Sequence, residues 1–149
     1  MPPKRPGKVK AVAKVAPAGY SGTPLPKKLE IKEGSHVSLV GAPADFYGTL
    51  GALPAGAKLR RGVVSGRSLT IWFVTSRKQL EGDLQRIMPA KGEGSLWIAW
   101  PKKASGMKTD LTEDVLREVI LPRGMVDRKV CAIDHTWSGL LFSWRKAEG

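Results

Sequence analysis

One cysteine, two histidines and 13 acidic residues among 149 positions are few, and each scarcity excludes something. The single thiol, Cys131, has no partner for an intramolecular disulfide. No Cys/His spacing suits zinc, so no metal site is expected. No stretch approaches the roughly 20 apolar residues that span a bilayer, so no membrane partner is expected either. The opening Met1-Pro2-Pro3-Lys4-Arg5 is basic, but no apolar run follows it, and it does not read as a secretory signal. Nor does it have the Arg- and Ser-rich amphipathic character of a mitochondrial presequence, so the expected location is the cytoplasm. The shortage of acid is the most informative absence, since 25 Lys and Arg leave a net charge of +12.

What is present reads as a folded chain behind a basic tail. The hydrophobic fraction of 42% and the charged fraction of 26% are those of a globular protein, and the length suits one domain. Residues 1–18 alternate cations with Pro, Ala, Val and Gly, which offers little to bury and reads as a disordered or extended tail. Its cations are Lys4, Arg5, Lys8, Lys10 and Lys14, with no acid among them. Residues 19–149 then read as a single α/β domain, across which the rest of the positive charge is spread. Such a field draws polyanions, nucleic acid included, by displacing their counterions; it also keeps a small protein soluble.

The local grammar alternates strand and helix. Thr23 suits an N-cap and Pro24 a first helical position, ahead of a short helix that ends before Gly34. His36–Val40 alternates as a strand ending at Gly41, and Phe46–Leu50 reads as a weak helix. Lys58–Arg60 is a short second strand. The apolar, β-branched and aromatic run Leu69–Val74 is a strand covered on both faces. Ser76 and Gln79 form a capping box for a helix whose apolar face is Leu80, Leu84, Ile87 and Met88. Ser95–Trp100 is another buried strand. Asp110 and Glu113 form a second capping box, before Leu111, Val115, Leu116, Val119 and Ile120 on one helical face. Lys129–Ile133 and Leu140–Trp144 close the chain as an antiparallel hairpin. Strands joined by helices through short loops imply a small Rossmann-like, mostly parallel sheet with helices on both faces. The antiparallel C-terminal strand makes that sheet methyltransferase-like, an analogy of fold that does not settle function.

Four segments, GYSGTPLPKKL (19–29), LWIAWPKKASG (96–106), TDLTEDVLREV (109–119) and KVCAIDHTWSGLLF (129–142), resemble the bacterial domain-of-unknown-function 3052 family. The resemblance spans about residues 19–144 and is least diagnostic between Asp45 and Arg67. It implies a small bacterial cytoplasmic α/β protein and brings no catalytic residues with it.

In an open parallel sheet, the place to look for a site is the crevice at the carboxyl ends of the strands. A dinucleotide or S-adenosyl cofactor would want a glycine-rich loop after the first strand and an acid after the second. The chain has Gly41-Ala42-Pro43-Ala44 in the first place and Arg60-Arg61 in the second, so no cofactor is expected. Lys102, Lys103 and Ser105 follow a buried strand and lead toward a helix N-terminus, where phosphate binding is physically reasonable, but Asp110, Glu113 and Asp114 already supply acid there and favour a solvated loop. Asp134, His135 and Ser138 contain the ingredients of acid–base or nucleophilic chemistry, but adjacent residues seldom converge on one atom. A hairpin loop anchored by Trp137 explains the same residues. Cys131, between Val130 and Ala132, reads as a small buried hydrophobe. Trp72, Trp97 and Trp100 read as core.

No catalytic residue is therefore assigned. The first expectation is a non-enzymatic binding or accessory protein whose basic tail engages nucleic acid or another polyanion. The alternative is a domain that binds a small anionic ligand, or a degenerate methyltransferase-like domain, using Gly41, Lys102, Lys103, Ser105, Asp134, His135 and Trp137.

Overall fold

A computed structural model describes residues 23–146. The tail cations Lys4, Arg5, Lys8, Lys10 and Lys14 lie outside the described residues. Six strands are interspersed with four helices: α1 (Leu25–Lys28), β1 (His36–Val40), α2 (Phe46–Leu50), β2 (Lys58–Arg61), β3 (Leu69–Phe73), α3 (Arg77–Ile87), β4 (Ser95–Pro101), α4 (Glu113–Ile120), β5 (Met125–Ala132) and β6 (Trp137–Trp144). The strands form one sheet in the order β2-β1-β3-β4-β6-β5. β2, β1, β3 and β4 run parallel, and β6 is inserted antiparallel between β4 and β5. The mixed α/β fold with its antiparallel last strand is thus as the element order implies.

Alternation along the strands splits the core into two layers. Leu69, Ile71 and Phe73 of β3 and Trp97 and Ala99 of β4 face a cluster built with Leu29, Phe46 and Leu50 from the α1–α2 side. Trp72 of β3 and Leu96, Ile98 and Trp100 of β4 face the other way, onto Leu80, Leu84 and Ile87 of α3 and Leu116 and Ile120 of α4. Trp72, Trp97 and Trp100 are all buried. β3 is buried at every position, which is why it lacks a polar–apolar alternation.

Three helix starts differ in detail from expectation. α1 has Pro24, not Thr23, at its N-cap. Its extended ψ of 143° still lets the Pro24 carbonyl accept from Lys28 N at 3.1 Å, while Pro26 takes an early position where the missing N–H costs nothing. At α3, Ser76 Oγ accepts from Gln79 N at 3.1 Å as a capping box requires. Gln79 Oε1, however, reaches one residue further back, to Thr75 N at 3.0 Å. At α4 the cap is Thr112, whose Oγ1 accepts from Val115 N at 3.1 Å. Asp110 instead accepts from Arg77 N, at 2.8 Å, at the start of α3. Thr109 Oγ1 adds a bond to the Thr75 carbonyl at 2.7 Å, so the segment before α4 lies across the N-terminus of α3. A local pattern identifies a capping side chain but not which helix it reaches.

Arg67 is buried beside the end of α3. Its guanidinium donates to Thr70 Oγ1 at 3.0 Å, the Ile87 carbonyl at 2.8 Å and the Met88 carbonyl at 3.2 Å. A cation there meets the otherwise unpaired carbonyls of a helix C-terminus. Among the described residues no helix is long and apolar enough to cross a membrane, and no cluster of His, Cys, Asp and Glu could hold a metal ion.

Candidate functional site

The strand order changes direction between β1 and β3, so the carboxyl ends of these strands define the crevice of interest. Gly41 ends β1 with φ +71°, and a Cβ there would stand 2.7 Å from the Phe73 carbonyl oxygen. Glycine is what lets the end of β1 lie backbone to backbone against the end of β3. The Phe73 ring is met edge-on by two others, Phe46 of α2 and Trp137 of β6, each at a centroid distance of 5.0 Å. Three buried rings thus fill the layer beneath these strand ends, as expected of Trp137 as a hydrophobic anchor.

The loops after β4 and β5 are brought together by the register of the sheet. Pro101 pairs with Trp137, and Lys102 N donates to the Thr136 carbonyl at 2.8 Å. Lys103–Ser105 forms one tight 3₁₀ turn rather than an open loop. Ser105 Oγ donates to the Lys102 carbonyl at 2.7 Å and accepts from Met107 N at 3.1 Å, so its hydroxyl is used within its own turn. Asp134 Oδ1 accepts from the N–H groups of Thr136 and Trp137, both at 2.8 Å, and closes the hairpin. His135 is exposed, and among the described residues no hydrogen bond joins Asp134, His135 and Ser138. Lys102 and the Asp134–Trp137 turn are therefore neighbours, and Gly41 is linked to Trp137 through Phe73. Lys103 is exposed after the same strand end.

Burial raises the thiol pKa of Cys131, against the pull of Lys28, Lys129 and Lys102. The thiolate, which is the reactive form, is correspondingly scarce. The helix N-termini nearby are already supplied with acid, since Asp110 stands at α3 and Glu113 and Asp114 occupy the first turn of α4.

Arg60 and Arg61 stand where a ribose-binding acid is expected in a nucleotide-binding sheet. Arg61 donates to the Ala42 carbonyl at 3.1 Å, and its guanidinium lies 5.5 Å from the centroid of the exposed Tyr47 ring. The arginine is tied directly to the Gly41 loop. Sequence reasoning missed Tyr47 and Phe46 because their importance comes from β2 and β3 meeting α2, a contact between distant segments.

Charge is divided unevenly over the surface. On α3 and α4, Arg77 meets Glu81 and Glu118, both at 2.9 Å, Arg86 meets Asp83, and Arg117 is surrounded by Glu113, Asp114 and Asp127. α1 and β2 read LPKK and KLRR, without a single acid. Among the described residues, Lys27, Lys28, Lys58, Arg60 and Arg61 form no ion pair.

No protein-family model and no curated protein matches the chain. Solved structures do. A SAM dependent methyltransferase from Aquifex aeolicus is similar with a TM-score of 0.53 and 15% identity, over 78% of this chain and 85% of that one. An uncharacterized protein from Listeria monocytogenes serotype 4b is similar with a TM-score of 0.52 and 8% identity, over 83% of this chain and 67% of its own. At such identities the likeness is one of fold.

Proposed function

We propose that this chain is a non-enzymatic binding or accessory protein, cytoplasmic, that engages nucleic acid through its basic tail. The same reading retains residues 19–149 as one α/β domain and the kinship with the domain-of-unknown-function 3052 family. One observation carries it: the cations of α1 and β2 form no ion pair among the described residues, whereas those of α3 and α4 mostly do. α1 follows the tail directly in the chain, so Lys4, Arg5, Lys8, Lys10 and Lys14 and then Lys27 and Lys28 make one basic stretch containing no acid. Charge of one sign, left unneutralised, attracts phosphates and releases their counterions.

The test is fluorescence anisotropy of labelled DNA and RNA across a salt series. It compares the full chain with a full-length variant in which the five tail cations are glutamine. The wild type is expected to bind with a steep salt dependence. The variant should lose most of its affinity and flatten the slope by about 0.7–0.9 for each phosphate contact removed. Equal binding by both proteins would overturn the role of the tail.

The second reading is a small anionic-ligand-binding or degenerate methyltransferase-like domain, and the likeness to the Aquifex aeolicus enzyme favours it. Against it stand Gly41, whose backbone meets β3 closely, and Arg61, which ends β2 and donates to the Gly41 loop. Calorimetric titration with SAM separates the readings, because saturable binding would favour the second.

A further inference from the structure

On the face of β1 and β2 turned away from α1 and α2, Val40 at the end of β1 packs against the α3–α4 core, while His36, Lys58 and Arg60 remain exposed. Val37, Leu39 and Leu59 point into the α1–α2 core, so alternation sends His36, Ser38, Lys58 and Arg60 to the opposite face. The register places His36 beside Lys58 and Ser38 beside Arg60. Among the described residues, the chain over this face is the link from β2 to β3, whose Gly62-Val63-Val64-Ser65-Gly66 combines two glycines and two β-branched residues and is poor helix material. It is pinned instead as a loop. Gly62 N donates to the Leu39 carbonyl at 2.7 Å, Val64 N to Ser38 Oγ at 3.2 Å and Ser68 N to the His36 carbonyl at 2.8 Å.

The pinned loop and the two strands enclose a small cavity of about 20 Å³, lined by His36, Val37, Lys58, Arg60, Val64 and Ser65. Its lining includes a lysine, an arginine, a histidine and a serine hydroxyl, and no carboxylate. Lys58, Arg60 and His36 are exposed, and no ion pair involves them among the described residues. The volume suits roughly one water-sized group. A nucleotide cannot enter, but one phosphoryl oxygen can, with the rest of the phosphate outside. Lysine supplies a point charge and arginine a planar fork of donors for the phosphate oxygens that remain outside.

We propose that this cationic face is a phosphodiester-binding track on the folded domain, with Lys58 and Arg60 taking successive backbone phosphates of a nucleic acid and His36 and Ser65 lining the seat. Lys58 and Arg60, two residues apart on one face of a strand, stand about 6.6 Å apart along it, which suits neighbouring phosphates. The proposal rests on the nucleic-acid reading above and names a second contact that does not depend on the tail.

The experiment measures oligonucleotide binding by anisotropy across salt for four full-length proteins: wild type, the five-glutamine tail variant, Lys58→Gln/Arg60→Gln, and Lys78→Gln/Arg123→Gln. The last removes the same charge from outside this face. Lys58→Gln/Arg60→Gln is expected to weaken binding roughly tenfold at moderate salt and to flatten the slope by about 1.5, with the control pair well short of both. If the two doubles behave alike, the track is overturned and only net charge matters. If the tail variant alone loses binding, the nucleic-acid reading stands without the track. If the track double alone loses it, the track stands and the tail reading falls. Absence of wild-type binding even at low salt overturns both. Amide NMR of the wild-type chain with the same oligonucleotide gives an independent check. Shifts should concentrate at residues 36–38, 58–61 and 64–66, and undisturbed signals there would also overturn the track.

Discussion

Glu30 is the one described non-glycine residue with positive φ, at 64°, a conformation that costs a side-chain-bearing residue roughly 1 kcal/mol or more. It follows α1 and is kept there by what its carboxylate reaches. Arg128 meets it with both terminal guanidinium nitrogens, at 2.9 and 3.2 Å, and Lys129 at 3.2 Å. Trp97 Nε1 donates to the neighbouring Leu29 carbonyl at 2.8 Å, so the end of α1 is tied to β4 and β5 at adjacent residues. Burial pushes the Glu30 carboxyl upward, but the hydrogen bonds from Arg128 and Lys129 outweigh it and hold its pKa below the ordinary 4.5. A folded-state pKa that is depressed contributes stability at pH above the unfolded value, lost as pH falls through the folded one. Glu30→Gln is therefore expected to unfold at lower urea than wild type at pH 7, by about 1 kcal/mol. The gap should close as acid titrates the carboxyl below pH 4.5. A gap that persists in acid would mean the carboxylate charge is not what holds α1. Nothing local in Lys28-Leu29-Glu30 announces this role, since the partners lie almost 100 residues away.

At the scale of elements, most of the architecture was legible. The strands at His36–Val40 and Leu69–Phe73 and the helices α2, α3 and α4 fall where turn chemistry and hydrophobic spacing put them. β5 and β6 run longer than their apolar cores suggested, because hairpin pairing carries polar residues such as Asp127 and Arg128 along with it. Capping was less legible. Asp110 serves α3 and Thr112 serves α4, although the two residues stand two apart in sequence. Asp110→Ala should therefore speed amide exchange at the start of α3 and leave α4 protected, while Thr112→Ala should do the reverse. Each should cost about 1 kcal/mol. Loss of protection in α4 from Asp110→Ala would show that the capping box of the sequence operates after all.

At the scale of the whole molecule, charge is the dominant feature. A net +12 on 149 residues repels itself, and ion pairs on α3 and α4 relieve only that side. Raising ionic strength from about 10 mM to about 100 mM shortens the screening distance from about 30 to 10 Å and should raise the midpoint of thermal unfolding by a few degrees. A falling midpoint would mean that the ion pairs outweigh the repulsion. The residues Gly41, Lys102, Lys103, Ser105, Asp134, His135 and Trp137 were legible as strand-end loops because strand ends can be read from hydrophobic periodicity. What each does there was not. Asp134 closes a turn, Ser105 bonds within its own, and Gly41 receives the Phe73 carbonyl, contacts that exist only once strands pair. By itself the sequence determined the alternation of strands and helices, the two apolar faces of the sheet and the excess of positive charge, because these depend on composition and on periods of a few residues. The tertiary structure alone decided the insertion of β6 between β4 and β5, the partners of Glu30, and the exposed cations on the outer face of β1 and β2. Each of those depends on which distant segments lie side by side, and local propensity carries no record of that.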